Sequence, residues 1–150
     1  MGEQRELPEP ADTAALGVEL AADLHPGDLV VLDGPLGAGK TVFVGGLAAG
    51  LGVLGSVTSP TFVIAREHRA GARGVALVHV DAYRLHGADV AGQLDALDLD
   101  TDLAGAVVVV EWGRGVVEAL TQRHLLVQLR RYPDTETRMA SWQWISASTD

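Results

Sequence analysis

A chain of 150 residues, 47% of them hydrophobic, is long enough to bury one core and favours a single domain over residues 1–150. Acidic residues outnumber basic residues 20 to 11, and the formal net charge is −9. This excess of acidic residues argues against a protein that binds nucleic acid without a partner, because contacts with phosphates need a basic surface. The absence of cysteine excludes disulfides, thiolate metal sites and cysteine nucleophiles.

The N-terminal residues 1–11 are acidic and contain proline, so they resemble neither a signal peptide nor a transit peptide. We expect them to be flexible. No apolar run reaches the ~20 residues that span a bilayer. We therefore expect a cytoplasmic protein without contact to a membrane.

The first third of the chain predicts two helices separated by a strand. Asp12 or Thr13 can cap the first helix. Three leucines spaced four residues apart would form its buried stripe, namely Leu16, Leu20 and Leu24. The strand DLVVLD (28–33) follows, and a second helix is predicted from about 41 to 51.

The second helix is unusually rich in glycine, with Gly45, Gly46 and Gly50 in its interior. Each glycine costs about 1 kcal/mol relative to alanine in a helix. We expect close packing of this helix on the sheet to compensate.

The rest of the chain predicts two hairpins, one buried strand and two helical segments. The first hairpin pairs 62–68 with 75–81, and the second pairs 124–131 with 138–147. The buried strand is 106–111, and the helical segments are 88–99 and 115–122. The run AVVVVE (106–111) has no polar alternation, which is typical of a strand buried on both faces. Together the elements predict an α/β fold of three layers with a mixed parallel and antiparallel central sheet.

Residues 34–41 read GPLGAGKT and match the phosphate-loop pattern G-x-x-x-x-G-K-[ST]. In such a loop the backbone N–H groups surround phosphates, Lys40 reaches the β and γ oxygens, and the Thr41 hydroxyl binds Mg²⁺. The alternative is a plain glycine-rich turn with an exposed lysine. The residues predicted to contact the nucleotide are Gly34, Leu36, Gly37, Ala38, Gly39, Lys40 and Thr41.

Lys40 is the only lysine in the chain, since the other ten basic residues are arginine. An ammonium is a compact point charge, whereas a guanidinium is a wide planar fork. We therefore expect Lys40 to occupy a place that the fork does not fit. Its uniqueness also excludes the N-K-x-D element that reads guanine in GTPases.

Two acids end predicted strands, Asp81 after VALVHV and Glu111 after AVVVV. Phosphoryl transfer needs a carboxylate beside the metal or the attacking water, and either acid could serve. A solvated acid at a strand end is the alternative for each. We expect at least one of the two to be functional.

The segment TSPT (58–61) could close over the γ-phosphate as a switch, or be an ordinary loop. Trp112 either lines the site or packs in the core. His79 and His86 have no metal-ligand companions at suitable spacing, so a structural role is predicted for both.

Several segments together resemble the TsaE family: TAALG, GDLVVLDGPLGAGKT, SVTSPTF, HVDAYRL and VVEWG, in that order, over roughly residues 12–131. These are small bacterial P-loop ATPases needed for the threonylcarbamoyl modification of the adenosine beside the tRNA anticodon. The phosphate loop is generic, but SPTF, H-x-D-x-Y-R-L and E-W together are distinctive.

The resemblance implies that Lys40 and Thr41 bind the phosphates of ATP and Mg²⁺, with Glu111 as the metal-side acid and Asp81 as a second catalytic carboxylate. It also implies a switch-like loop beside the site, made of Thr58, Ser59 and Thr61, together with Trp112. The implied partner is the TsaB–TsaD heterodimer, through which tRNA would be contacted indirectly. The alternatives are a small-molecule kinase and an assembly factor that binds the nucleotide without hydrolysing it.

Overall fold

The computed structural model describes residues 3–35, 39–53, 65–71, 73–81, 105–111, 122–135 and 137–146. The elements in chain order are β1 (Glu3–Leu7), α1 (Pro10–Ala21), β2 (Leu29–Asp33), α2 (Lys40–Leu51), β3 (Ala65–His68), β4 (Ala76–Asp81), β5 (Ala106–Glu111), β6 (Arg123–Arg131) and β7 (Arg138–Ser146). The helices predicted at 88–99 and 115–122 lie outside the described residues.

The seven strands form one sheet in the order β1-β7-β6-β2-β5-β4-β3. Strand β2 pairs in parallel with β5 and β6, and β4 pairs in parallel with β5. The pairs β3–β4, β6–β7 and β1–β7 are antiparallel. Both predicted hairpins and the mixed α/β sheet are therefore confirmed.

The parallel strands at the centre of the sheet are buried on both faces. All six residues of β5 are buried, as the valine run predicts. Val30, Val109 and Val127 lie on one face and join α1 and α2 in the hydrophobic core. Val31 and Val108, whose side chains point to the opposite face, are also fully buried. Burial of both faces is what the three-layer architecture requires.

Helix α1 begins earlier than the sequence predicted. Its first residue is Pro10, a favoured residue at this position because its missing N–H would have no partner in the helix. Asp12 lies within the first turn, and its Oδ2 accepts a hydrogen bond from the backbone N–H of Glu9 at 2.9 Å. The predicted leucine stripe is buried, although Leu24 lies beyond the last helical residue.

Gly46 and Gly50 of α2 allow close contact with α1 rather than with the sheet, so the prediction that the glycines serve packing on the sheet is wrong for these two. An ideal Cβ on Gly46 would lie 2.0 Å from the backbone oxygen of Ala14. One on Gly50 would lie 2.6 Å from the Cβ of Ala21, whereas one on Gly45 would meet nothing within 4 Å. The two helix backbones therefore approach more closely than any side chain would allow.

Arg73, in the turn between β3 and β4, joins the ends of both helices. Its guanidinium donates hydrogen bonds to the carbonyl oxygens of Ala21 (2.9 Å), Leu24 (2.8 Å) and Gly50 (3.2 Å). Carbonyls at a helix end have no partner within the helix, so this cation satisfies acceptors at the end of α1, in the turn after it and at the end of α2.

Residues 3–7 form an edge strand, which differs from the flexible terminus that the sequence suggested. Leu7 alone in β1 is buried, so the segment has little apolar signal. The Arg5 guanidinium donates to both carboxylate oxygens of Glu19, at 3.2 and 2.9 Å, and lies 5.2 Å from the ring centroid of Trp142. The hydrogen bond to Glu19 raises the pKa of Arg5. In the described part of the chain, neither helix has the length and apolar character needed to cross a bilayer.

Candidate functional site

The carboxyl ends of three parallel strands meet at one edge of the sheet. Asp81 of β4 pairs in register with Glu111 of β5, and Glu111 pairs with Leu32 of β2. The chain leaves β2 through Asp33 and half-buried Gly34, the first glycine of the loop. The two predicted acids and the start of the phosphate loop thus share this edge.

Helix α2 begins at the same edge, with Gly39 as its N-terminal cap. Gly39 has a φ of 98°, in the left-handed region that favours glycine. The N–H groups of the first turn of a helix are free to bind an anion, and the helix dipole favours negative charge there. This end of α2 is therefore suited to a phosphate.

The side chain of Lys40 is buried, which rules out the alternative of an exposed lysine in a plain turn. It is 6% exposed, and its Nζ lies 3.7 Å from Oε1 of Glu111. Glu111 is itself only 7% exposed. The first residue of α2 and the last residue of β5 thus form a buried ion pair.

The other oxygen of Glu111, Oε2, is hydrogen-bonded to Nε2 of His79. His79 is fully buried. The sequence predicted a structural role for this histidine and missed its contact with the acid. Strand alternation places His79 on the same face as Asp81, but the contact also requires the alignment of Asp81 with Glu111, which the structure supplies.

The donor set at this edge fits Mg²⁺ held together with a nucleotide. Glu111 offers a carboxylate and Thr41, the exposed second residue of α2, offers a hydroxyl. Among the residues that the structure describes, no three His, Cys, Asp or Glu side chains form a group able to hold a metal. Magnesium commonly takes one or two carboxylates and completes its shell with water and phosphate oxygens. The residues present suit that arrangement.

The remaining predicted site residues are not placed by the structure. Outside the described part lie Leu36, Gly37, Ala38, Thr58, Ser59, Thr61 and Trp112. For Asp81 the backbone alone is described. The roles assigned to these residues stay predictions.

Two features beside the phosphate loop were missed from the sequence. Arg138, the first residue of β7, brings its Nε within 3.9 Å of the ideal Cβ position on Gly39. A cleft of about 220 Å³ adjoins the start of the loop and is lined by Asp33, Gly34, Pro35, Gln128, Leu129 and Arg130. Residues 128–130 thus adjoin residues 33–35, and Arg138 adjoins Gly39; no local pattern signals such distant contacts.

Known proteins similar to this chain belong to one family. The family model described as "Threonylcarbamoyl adenosine biosynthesis protein TsaE" matches residues 7–140. The tRNA threonylcarbamoyladenosine biosynthesis protein TsaE of Mycobacterium bovis is 56% identical over 142 residues, which cover 92% of this chain and 84% of the relative. The protein of the same name from Bacillus subtilis is 39% identical over 128 residues, covering 85% and 77% of the two chains.

A solved structure agrees with the fold. The crystal structure of Bacillus subtilis YdiB superposes with a TM-score of 0.73 at 32% sequence identity, covering 98% of this chain and 87% of that one. The match supports a P-loop-like α/β fold with the predicted mixed sheet. Sequence and structure together show that the chain belongs to the TsaE family.

Proposed function

We propose that this protein binds and hydrolyses ATP in the threonylcarbamoyl modification of the tRNA adenosine next to the anticodon, acting with the TsaB–TsaD heterodimer. The names of its relatives support the pathway, since they refer to tRNA threonylcarbamoyladenosine biosynthesis. The ion pair between Lys40 and Glu111 at the start of α2 carries the nucleotide-binding part of the proposal. It brings the cation that we propose to bind phosphate and the acid that we propose to hold Mg²⁺ to 3.7 Å from each other.

Each residue of the pair has a defined task in this proposal. The Lys40 ammonium has three N–H donors, so it can contact phosphate oxygens and Glu111 together. Glu111 and Thr41 would hold Mg²⁺, which neutralises charge on the phosphate oxygens during transfer. Asp81 is the second carboxylate at the same edge and is proposed to orient the attacking water.

The charge of the chain supports a partner-dependent role. With a net charge of −9, the protein lacks the excess of basic residues that binding tRNA alone would need. We therefore assign contact with tRNA to the partner heterodimer. The TSPT loop (58–61) and Trp112 keep their proposed places near the γ-phosphate.

Calorimetry tests the nucleotide choice directly. ATP and GTP, each with Mg²⁺, are titrated into the protein with and without the TsaB–TsaD heterodimer. We expect binding of ATP in preference to GTP, lost in Lys40→Ala and kept in the control Arg69→Ala. Arg69 is an exposed cation in the β3–β4 turn, which lies at the amino end of β4, away from Asp81 and the site. A tight preference for GTP would overturn the proposal.

Single-turnover hydrolysis with and without the heterodimer tests the reaction. We expect release of inorganic phosphate that is faster with the partner and abolished in Glu111→Ala. Binding without hydrolysis would instead indicate an assembly factor, and transfer of the phosphate to a small acceptor would indicate a kinase. Full hydrolysis and full tRNA modification by Glu111→Ala would show that the acid is wrongly assigned.

A further inference from the structure

We propose that His79 is a positioning residue that fixes the orientation of the Glu111 carboxylate through Oε2 and leaves Oε1 to face Lys40. The inference rests on the proposed function in one respect, namely that Glu111 is the metal-side acid. It adds a residue for which the sequence suggested a structural role alone.

The register of the sheet places His79 where it can hold this carboxylate. In the parallel pair β4–β5, His79 aligns with Val109 and Asp81 aligns with Glu111. His79 therefore points to the same face as Glu111, one pleat back from the edge of the sheet. Its ring is fully buried and its Nε2 contacts Oε2.

The two oxygens of Glu111 thus have different partners. Oε1 faces the Lys40 ammonium at 3.7 Å, and Oε2 is bound by the histidine ring. A carboxylate at the end of a strand can otherwise rotate about its side-chain bonds. Anchoring one oxygen fixes the direction of the other, which is the task that outer partners perform for metal-binding carboxylates.

The environment of the ring indicates which nitrogen carries the proton. An ionised carboxylate only accepts hydrogen bonds, so Nε2 must be the donor. Nδ1 is buried without a hydrogen-bond partner in the described part of the chain. The bond to Glu111 is thus made by Nε2 as the donor and Oε2 as the acceptor.

Apolar packing alone does not account for a histidine at this position. The neighbouring positions on the same face, Leu77 and Val109, are apolar and fully buried. Burying a polar ring among them is unfavourable unless the ring is hydrogen-bonded. The bond to Glu111 is the single hydrogen bond that the described residues provide for His79.

Two substitutions separate positioning from packing. His79→Gln retains an N–H donor able to reach Oε2, whereas His79→Leu retains apolar bulk and removes the donor. Loss of such an outer partner typically weakens metal affinity or activity about 10–100-fold. We expect His79→Leu to raise the Mg²⁺ concentration for half-maximal ATP hydrolysis by at least about tenfold, with recovery of most of the loss in His79→Gln.

Binding measurements give a readout beside activity. In excess EDTA, the dissociation constant for ATP measured by calorimetry should be within about twofold of the wild-type value for both variants. The gain in ATP affinity on adding Mg²⁺ should be lost in His79→Leu alone. His124→Leu is the matched control, because His124 is also a buried histidine. It lies at the start of β6, whereas the site lies at the carboxyl ends of the parallel strands. Equal Mg²⁺ dependence in wild type and His79→Leu would overturn the inference. So would equal damage in His79→Leu and His79→Gln.

The tautomer can be tested in the nucleotide-free protein. Long-range ¹H–¹⁵N correlation spectra distinguish the two neutral tautomers and the doubly protonated ring, and His79→Gln assigns the signal among the five histidines. We expect a proton on Nε2 whose signal shifts in Glu111→Ala. Absence of a proton from Nε2, or no response to Glu111→Ala, would contradict the inference. This result does not depend on ATP binding, so failure of the proposed function and failure of the His79 assignment are distinguishable.

Discussion

Lys40 Nζ and Glu111 Oε1 lie 3.7 Å apart, with both side chains less than one tenth exposed. The pair joins the start of α2 to the end of β5, although α2 ends at residue 51 and β5 begins only at residue 106. Each charge makes burial of the other tolerable, because a buried charge without a partner is strongly destabilising. Removing either charge of this pair should therefore destabilise the folded protein as well as alter the candidate site.

The coupling between the two residues can be measured with a double-mutant cycle. Lys40→Met leaves the Glu111 carboxylate without its cation and should lower the free energy of unfolding by about 3 kcal/mol. In a Glu111→Gln background the same change should cost less, with a coupling energy of at least about 1 kcal/mol by chemical denaturation. Strict additivity of the two substitutions would contradict a direct interaction.

Replacement of the single lysine by arginine tests why lysine occurs here. Lys40→Arg keeps the charge but places a planar fork where the structure buries a compact ammonium. We expect a loss of ATP affinity of tenfold or more, about 1.4 kcal/mol, by calorimetry. Wild-type affinity and activity in Lys40→Arg would remove the geometric explanation for the lysine.

Two adjacent glycines of α2 should respond to alanine in opposite directions. Gly46→Ala would place a Cβ 2.0 Å from the Ala14 oxygen and force the helices apart, with an expected loss of about 3 kcal/mol. Gly45→Ala meets nothing within 4 Å and should stabilise the protein by about 0.5–1 kcal/mol through helix propensity. Thermal or chemical unfolding of the two variants measures both effects. Similar values for the pair would show that α1 and α2 are not in close backbone contact.

Arg73 should contribute to stability through the helix ends that it binds. Arg73→Ala removes three hydrogen bonds, to carbonyls of α1, of α2 and of Leu24 after α1, and we expect a loss of about 1–2 kcal/mol in the free energy of unfolding. Arg69→Ala removes the same charge from an exposed position nearby and should change stability by less than about 0.5 kcal/mol. If the two variants unfold alike, charge and not hydrogen bonding explains the effect of Arg73.

Features encoded in local patterns were predictable from the sequence. The valine run of β5, both hairpins and the strand–loop–helix order around Lys40 follow from composition and spacing. Strand β1 was not recognised, because Leu7 is its single buried residue and its pairing with β7 joins the two ends of the chain. The position of Arg138 beside Gly39 was likewise not predictable, because the two residues are distant in the chain.

In the candidate site, too, locally encoded features were predictable and contacts between distant segments were not. The loop and the acid Glu111 could be located by motif, since each occupies a characteristic place at a strand or helix end. The contact of His79 with Glu111 depends on the register between β4 and β5, which a single sequence does not specify. The helix-to-helix role of Gly46 likewise depends on which neighbour α2 meets.

Because residue 40 is the one lysine, the protein has a single side-chain amine in a known environment. Reductive methylation with ¹³C-formaldehyde would label only that amine and the chain terminus. Its reaction should be slow in the free protein, since the amine is buried beside Glu111. The labelled methyl groups would then report, without any mutation, each change in what Lys40 contacts.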